Sequence, residues 1–175
     1  INSLGCPECR PDFKTRLLTY IDAVADQLCS DCLRRKDRNP LRVLDCKVST
    51  CRDSMTDAPS IIDCLCDVCD TEFKILQSTL DRLNVNFVLD KRLVRGLDYY
   101  TRATFEIQTS SLGAQSAVAG GGRYDGLVKL LGGPDTPATG FAIGFDRLAE
   151  IVQMLGDDFQ KKPHVYIAAM GEQSQ

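Results

Sequence analysis

The chain has no excess of positive charge: 21 Lys and Arg stand against 24 Asp and Glu in 175 residues, a net −3. A global basic field is therefore absent, and any contact with nucleic acid has to be a local patch. No apolar run is long enough to span a bilayer, and no charged stretch leading into an apolar one marks a signal peptide. The default expectation is a cytoplasmic chain with no membrane contact. Internal repeats and low-complexity tracts are absent too. Cysteine is missing from the whole second half, since all nine lie between Cys6 and Cys69. That asymmetry separates two parts. The chain also lacks an initiating methionine, and it ends on "PHVYIAAMGEQSQ", a strand-like run cut off soon after it begins, so it reads as a piece of a longer protein.

What is present in the first part is helical. Pro11 suits the first turn of a helix, and Phe13, Leu17, Leu18, Ile21, Val24, Ala25 and Leu28 recur at helical spacing, which predicts helix over 11–36 in one or two pieces. "RNPLRVLDCK" breaks the pattern at Pro40 and predicts a short extended segment. "APSIIDCLCDVCDTEFKILQSTLDRLN" is helical again, with Phe73, Leu76, Leu80 and Leu83 on one face and Asn84 as the stop. From Val85 the texture becomes β: "VNFVLD", "DYYTRATFEIQT" and "GAQSAVAG" read as strands, "RYDGLVKLLGG" as a short helix, "TGFAIGF" as a strand. "DRLAEIVQMLG" closes the series as a helix packed by Leu148, Ile151, Val152 and Leu155. The fold class is α+β, an antiparallel sheet with flanking helices plus a helical, cysteine-rich subdomain.

Cys6-Pro-Glu-Cys9 and Cys29-Ser-Asp-Cys32 are two C-x-x-C pairs separated by 19 residues, the spacing of a four-cysteine zinc site. Geometry argues against that simple pairing, because a straight helix between them would hold its ends roughly 28 Å apart. Other partners are available in Cys46, Cys51 and Cys66-Asp-Val-Cys69, with Cys64 left over. Running back along "NPLRVLDC" could return Cys46 and Cys51 toward Cys6 and Cys9. Eight cysteines suffice for two tetrahedral sites, with the pairing open, and four sulfurs would make such an ion structural. Small buried thiols in a helical core are the plainer alternative.

The second part carries the denser chemistry. "RLVRGLDYYTRATFE" places Arg95 before Gly96, where the chain can turn a planar guanidinium toward a phosphate or carboxylate. Asp98 is the expected partner that orients it. Strand alternation sends Tyr99 and Tyr100 to opposite faces, so Tyr99 is assigned to the core side and Tyr100 can read a nitrogen donor or acceptor through its hydroxyl. "AVAGGGRYDG" has three successive positions without side chains, Gly120, Gly121 and Gly122, followed by Tyr124 and Asp125. It matches neither the dinucleotide fingerprint nor the P-loop. "GFAIGFDRL" sets Gly140 and Gly144 on a strand, a slot for an aromatic base, with Arg147 placed to stack over it. An edge strand, a glycine-rich turn and a solvated helix start are the bland readings of the three stretches.

Together the three are far more specific than any one of them. "RGLDYYTRATFE" resembles the first histidine-binding motif of histidyl-tRNA synthetases, "AGGGRYDGLV" resembles the second, and "GFAIGFDRL" looks like motif 3 of class II synthetases, in that order. The resemblance spans nearly the whole chain and implies a helical insertion at 1–84, the C-terminal half of a class II catalytic core at 85–160, and the start of an anticodon-binding domain at 161–175. It implies a homodimeric ligase that condenses histidine with ATP, supplied as its magnesium complex, and passes histidine to tRNA(His). Arg95 would stabilise charge on the α-phosphate as the catalytic cation. Tyr100 and Tyr124 would address the imidazole, Gly121 and Gly122 would floor the substrate, and Arg147 with Gly144 would hold ATP. The insertion would touch the acceptor stem, where Arg34, Arg35, Lys36, Arg38 and Arg42 form a local basic cluster suited to phosphates, a solvated helix face being the equally ordinary explanation. Two departures are mild: Asp146 where glutamate is common, and Ala103 where a larger residue is usual. The motifs expected upstream of Ile1 carry the dimer interface and much of the ATP grip, so this piece alone is expected to be inactive. The competing functions are a histidine-sensing regulatory subunit of ATP phosphoribosyltransferase, which shares the fold, and an isolated tRNA- or zinc-binding module.

Overall fold

A computed structural model describes residues 1–96, 98–111, 116–156 and 165. The strand-like run expected at 163–175 lies outside them, except for Val165. The described residues form a four-stranded antiparallel sheet in the order β1-β2-β3-β4, from β1 (Asn2–Ser3), β2 (Thr101–Gln108), β3 (Ala117–Arg123) and β4 (Thr139–Ile143). Between β1 and β2 the chain inserts the helices α1 (Arg10–Ala23), α2 (Ser30–Arg38), α3 (Ser49–Ser54) and α4 (Asp67–Arg82). The short helix α5 (Leu127–Leu130) links β3 to β4, and α6 (Phe145–Met154) follows β4.

The helical part is built as its periodicity predicts. Phe13, Leu17 and Ile21 of α1 are fully buried against Val43, Met55 and Ile61, each side chain contributing about 1.5–3 kcal/mol by burial. Helix α4 ends on Asn84 in the left-handed region (φ 54°). There Val85 N donates to Leu80 O (2.9 Å) and Asn84 N to Asp81 O (3.0 Å), the double closure that an asparagine at this place permits.

Three elements differ from expectation. Residues 40–43 form a turn of 3-10 helix, not an extended segment, because Pro40 occupies the first turn, where its missing N–H costs nothing. "VNFVLD" is no strand: it lies beside Ile1, just before β1, and meets it through Ile1 N to Val88 O (2.8 Å) and Asp90 N to Ile1 O (3.0 Å), which do not extend into a ladder. Helix α6 has no buried residue, and Leu148 and Leu155 are exposed, as are Phe141 and Phe145 beside it. Among the described residues nothing covers that side of β4.

The register sets the two faces of the sheet. Asn2, Thr104, Gly122 and Gly140 pair in one row across all four strands. Loop 91–100 crosses the face these residues share, held by Asn2 Nδ2 on Leu93 O (3.0 Å). Helix α4 covers the opposite face, where Glu72, Phe73 and Leu76 meet Arg102, Ala103 and Arg123 around a cavity of about 280 Å³. The ion pairs of Arg102 with Glu72 and of Arg123 with Asp125 (2.6 Å) lie on that side.

Candidate active site

Strand β3 is the floor of the site, and its glycines are positions where another group passes close. A Cβ on Gly120 would lie 2.6 Å from the Arg95 guanidinium, and one on Gly122 would lie 3.0 Å from the Tyr100 ring. A Cβ on Gly140 would strike the Tyr124 hydroxyl. Arg95, Tyr100 and Tyr124 therefore gather on one face of the sheet, over three residues that have no side chain to obstruct them. Gly121 faces the other way, toward Phe141 on β4. The face with the arginine and the tyrosines is thus floored by Gly120, Gly122 and Gly140, and only Gly122 of the expected pair belongs to it.

The tyrosines cluster more tightly than strand alternation allows. Tyr99 and Tyr100 have ring centroids 4.6 Å apart, Tyr99 and Tyr124 5.5 Å, and Tyr100 and Tyr124 5.9 Å. Tyr99 is not on the opposite face, because β2 begins only at Thr101 and residues 98–99 form a turn that removes the alternation. The Tyr100 hydroxyl beside it raises the Tyr99 phenol above its ordinary range. Tyr100 is buried and Tyr99 half-buried.

Arg95 is oriented by Glu106, not by Asp98. Glu106 pairs with Gly120 across β2 and β3, so its carboxylate reaches the guanidinium lying over that glycine. The same guanidinium sits 5.9 Å from the centroid of the Tyr100 ring, and Arg95 Nε is buried without a hydrogen-bond partner among the described residues. Asp98 instead accepts from Asn39 Nδ2 (2.5 Å), just past the end of α2. Arg42 donates to Arg95 O (3.3 Å) and Arg10 to Tyr100 O. Three side chains of the helical part thus hold the loop that carries Arg95 and Tyr100, across a seam enclosing about 90 Å³. Local sequence pattern had no signal for these contacts, which join residues far apart in the chain. Glu106 was within reach of sequence reasoning: it is the acid in "TFE" on the strand that follows the tyrosines.

Arg147, in the first turn of α6, donates to Ala117 O at the start of β3, and its stem lies over Gly144 (a Cβ there would be 3.5 Å from Cδ). Following β3 from Ala117, the order is Arg147, then Arg95 at Gly120, Tyr100 at Gly122, and Tyr124. At about 3.3 Å per residue the series from 117 to 124 spans roughly 23 Å.

The cysteines form two groups of four, Cys6, Cys9, Cys66, Cys69 and Cys29, Cys32, Cys46, Cys51, with all ligand atoms of a group within 4.8 Å of one another. Cys46 and Cys51 therefore join Cys29 and Cys32 and do not return toward Cys6 and Cys9. The 3-10 turn at 40–43 reverses the chain beside α2, so the return is shorter than expected. The two C-x-x-C pairs at either end of α1 indeed belong to different groups. Within each group burial pushes two thiols up, Cys9 and Cys69 in one and Cys32 and Cys51 in the other, while backbone N–H groups bring another down to about 7, against burial at Cys6 and chiefly through the Cys32 amide at Cys29. The basic residues of α2 are partly neutralised: Arg34 pairs with Asp31 and Lys36 with Asp22.

Compared with known proteins, residues 21–148 match the family model described as Histidyl-tRNA synthetase. The chain belongs to the histidyl-tRNA synthetase family. It is 58% identical over 174 residues to a histidine–tRNA ligase of Desulfatibacillum aliphaticivorans, covering 99% of this chain and 42% of that protein. It is 51% identical to the histidine–tRNA ligase of Geobacter sulfurreducens, covering 100% of this chain and 42% of that one. Among solved structures, the apo histidyl-tRNA synthetase of S. aureus superposes with a TM-score of 0.68 at 31% identity, over 98% of this chain and 42% of that one. This synthetase-family chain spans about two fifths of the length of the curated relatives it matches.

Proposed function

We propose that the chain is part of a histidine–tRNA ligase and forms one wall of its histidine-activation site. The order of groups along β3 carries this reading. Tyr100 and Tyr124 address the imidazole through their hydroxyls, and a site that hydrogen-bonds a particular side chain rejects analogues without it strongly. Arg95, one step along the strand, neutralises the charge that grows on the α-phosphate of ATP as the histidine carboxylate attacks. Arg147 and Gly144 take the nucleotide end, with ATP entering as its magnesium complex. The helical part, 1–84, contacts tRNA(His) through the exposed side of α2, and its cysteines hold structural zinc. Residues 85–160 make up the catalytic half, and 161–175 begin the anticodon-binding domain of a cytoplasmic homodimer. A histidine-sensing regulator is disfavoured by the intact run from Arg95 to Tyr100.

The test is histidine-dependent exchange of labelled pyrophosphate into ATP. The full-length protein carrying this chain exchanges with histidine and not with the other amino acids, whereas the 175-residue chain alone, lacking the upstream motifs, gives none. Robust exchange by the chain alone, or histidine binding without exchange by the full-length protein, contradicts the reading.

A further inference from the structure

We propose that the helical part holds two zinc ions of separate duty, one on Cys6, Cys9, Cys66 and Cys69 and one on Cys29, Cys32, Cys46 and Cys51, each bracing one side of the support for the Arg95 loop. This deepens the structural-zinc reading above and does not depend on the ligase activity. A tetrahedral ion with sulfur at about 2.3 Å sets its ligands about 3.8 Å apart. The separations are 3.6 Å for Cys6 and Cys9, 3.8 Å for Cys6 and Cys66, and 3.9 Å for Cys29 and Cys46. All are far beyond the roughly 2.05 Å of a disulfide, and every cysteine is free.

The two groups are built alike. In each, a backbone N–H donates to a sulfur of a distant cysteine: Cys66 N to Cys9 Sγ at 3.2 Å, Cys29 N to Cys51 Sγ at 3.1 Å. These contacts hold one sulfur of each group against the backbone of another segment that supplies a cysteine to the same group. Helices α1, α2 and α4 all start from a cysteine of one group or the other, Cys9, Cys29 and Cys66, so their positive ends offset the charge of four thiolates. Buried thiols acting only as small apolar residues have no reason to converge in fours, twice. Cys64 supplies the contrast, since it is half-buried beside the same core yet belongs to neither group. Four soft thiolates with no fifth donor suit a closed zinc site and not a hard cation such as magnesium.

The placement of the groups gives them a role. Arg10 directly follows Cys9 and reaches Tyr100 O. Asn39 and Arg42 lie on the stretch between Cys32 and Cys46 and reach Asp98 and Arg95 O. Each struts the loop from one metal group.

The experiment is elemental analysis and zinc-edge X-ray absorption on the purified 175-residue chain. The expected result is two zinc per chain with a shell of four sulfurs at about 2.3 Å. Cys9→Ser and Cys51→Ser each lower the count to one, and Cys64→Ser leaves two. Metal-free chain with nine titratable thiols, disulfides by mass, iron in place of zinc, or a nitrogen- or oxygen-bearing shell overturns the proposal. The wild-type count and shell decide it even if a serine variant fails to fold, and a failure here leaves the exchange test above untouched.

Discussion

Arg95→Ala in the full-length protein lowers the rate of histidyl-adenylate formation by about 10²–10³-fold, the loss expected when one fixed group that stabilises transition-state charge is removed. The geometry makes this a loss of catalysis more than of folding. Arg95 lies over Gly120, paired with Glu106 and set against the Tyr100 ring, and it belongs to none of the buried clusters among the described residues. Removing it also frees Glu106, whose carboxylate then faces the substrate phosphates, so Arg95→Ala with Glu106→Gln is less impaired than Arg95→Ala alone. Gly120→Ala tests the same placement from below. Its methyl meets the guanidinium at 2.6 Å, and a displacement on the order of 1 Å costs up to about 10²-fold in rate. Single-turnover adenylate formation, compared with the midpoint of thermal unfolding, separates the two effects. A drop in rate matched by an equal collapse of stability would make Arg95 a structural residue.

Withdrawing metal at neutral pH unfolds the helical part. Structural zinc in small domains is worth on the order of 10 kcal/mol, and apart from cysteines the buried apolar core here is Phe13, Leu17, Ile21, Leu28, Val43, Met55 and Ile61, with partly buried Tyr20, Val24, Leu41, Leu44 and Leu65 against it. A core of that size does not order about 80 residues without a staple. Far-UV circular dichroism during titration with a strong chelator shows the change as loss of most of the α1 to α4 signal, recovered on adding zinc. The loop loses its struts at the same time, so the full-length protein loses adenylate formation in parallel. Retention of the helical signal in metal-free, fully reduced chain would contradict this.

The gathering of Arg95, Tyr100 and Tyr124 was legible because its signals are local. Glycines at 120, 122 and 140 announce a close approach, and Arg95, Tyr100 and Tyr124 are what approaches them. Tyr99 was misplaced for a local reason as well: alternation holds only inside a strand, and the chain turns at 98–99 before β2, which bulges at Arg102 with φ 54°. The partners of Arg95 and Asp98 were not legible, since Asn39 and Arg42 reach them across more than fifty residues. The sorting of eight cysteines into two groups has the same character. It depends on the length of α1, which separates the first two pairs, and on a 3-10 turn that reads equally well as extended chain around Pro40. The match of 21–148 shows the family, while the geometry shows which side chains lie together.

The most direct test of the account is a crystal structure of the full-length protein with a non-hydrolysable histidyl-adenylate analogue. The account predicts the imidazole within hydrogen-bond reach of the Tyr100 and Tyr124 hydroxyls, the phosphate surrogate on Arg95 above Gly120, and the adenine toward Arg147. An analogue bound away from this face of β3, or bound there in reverse with its adenine among the tyrosines, would contradict it.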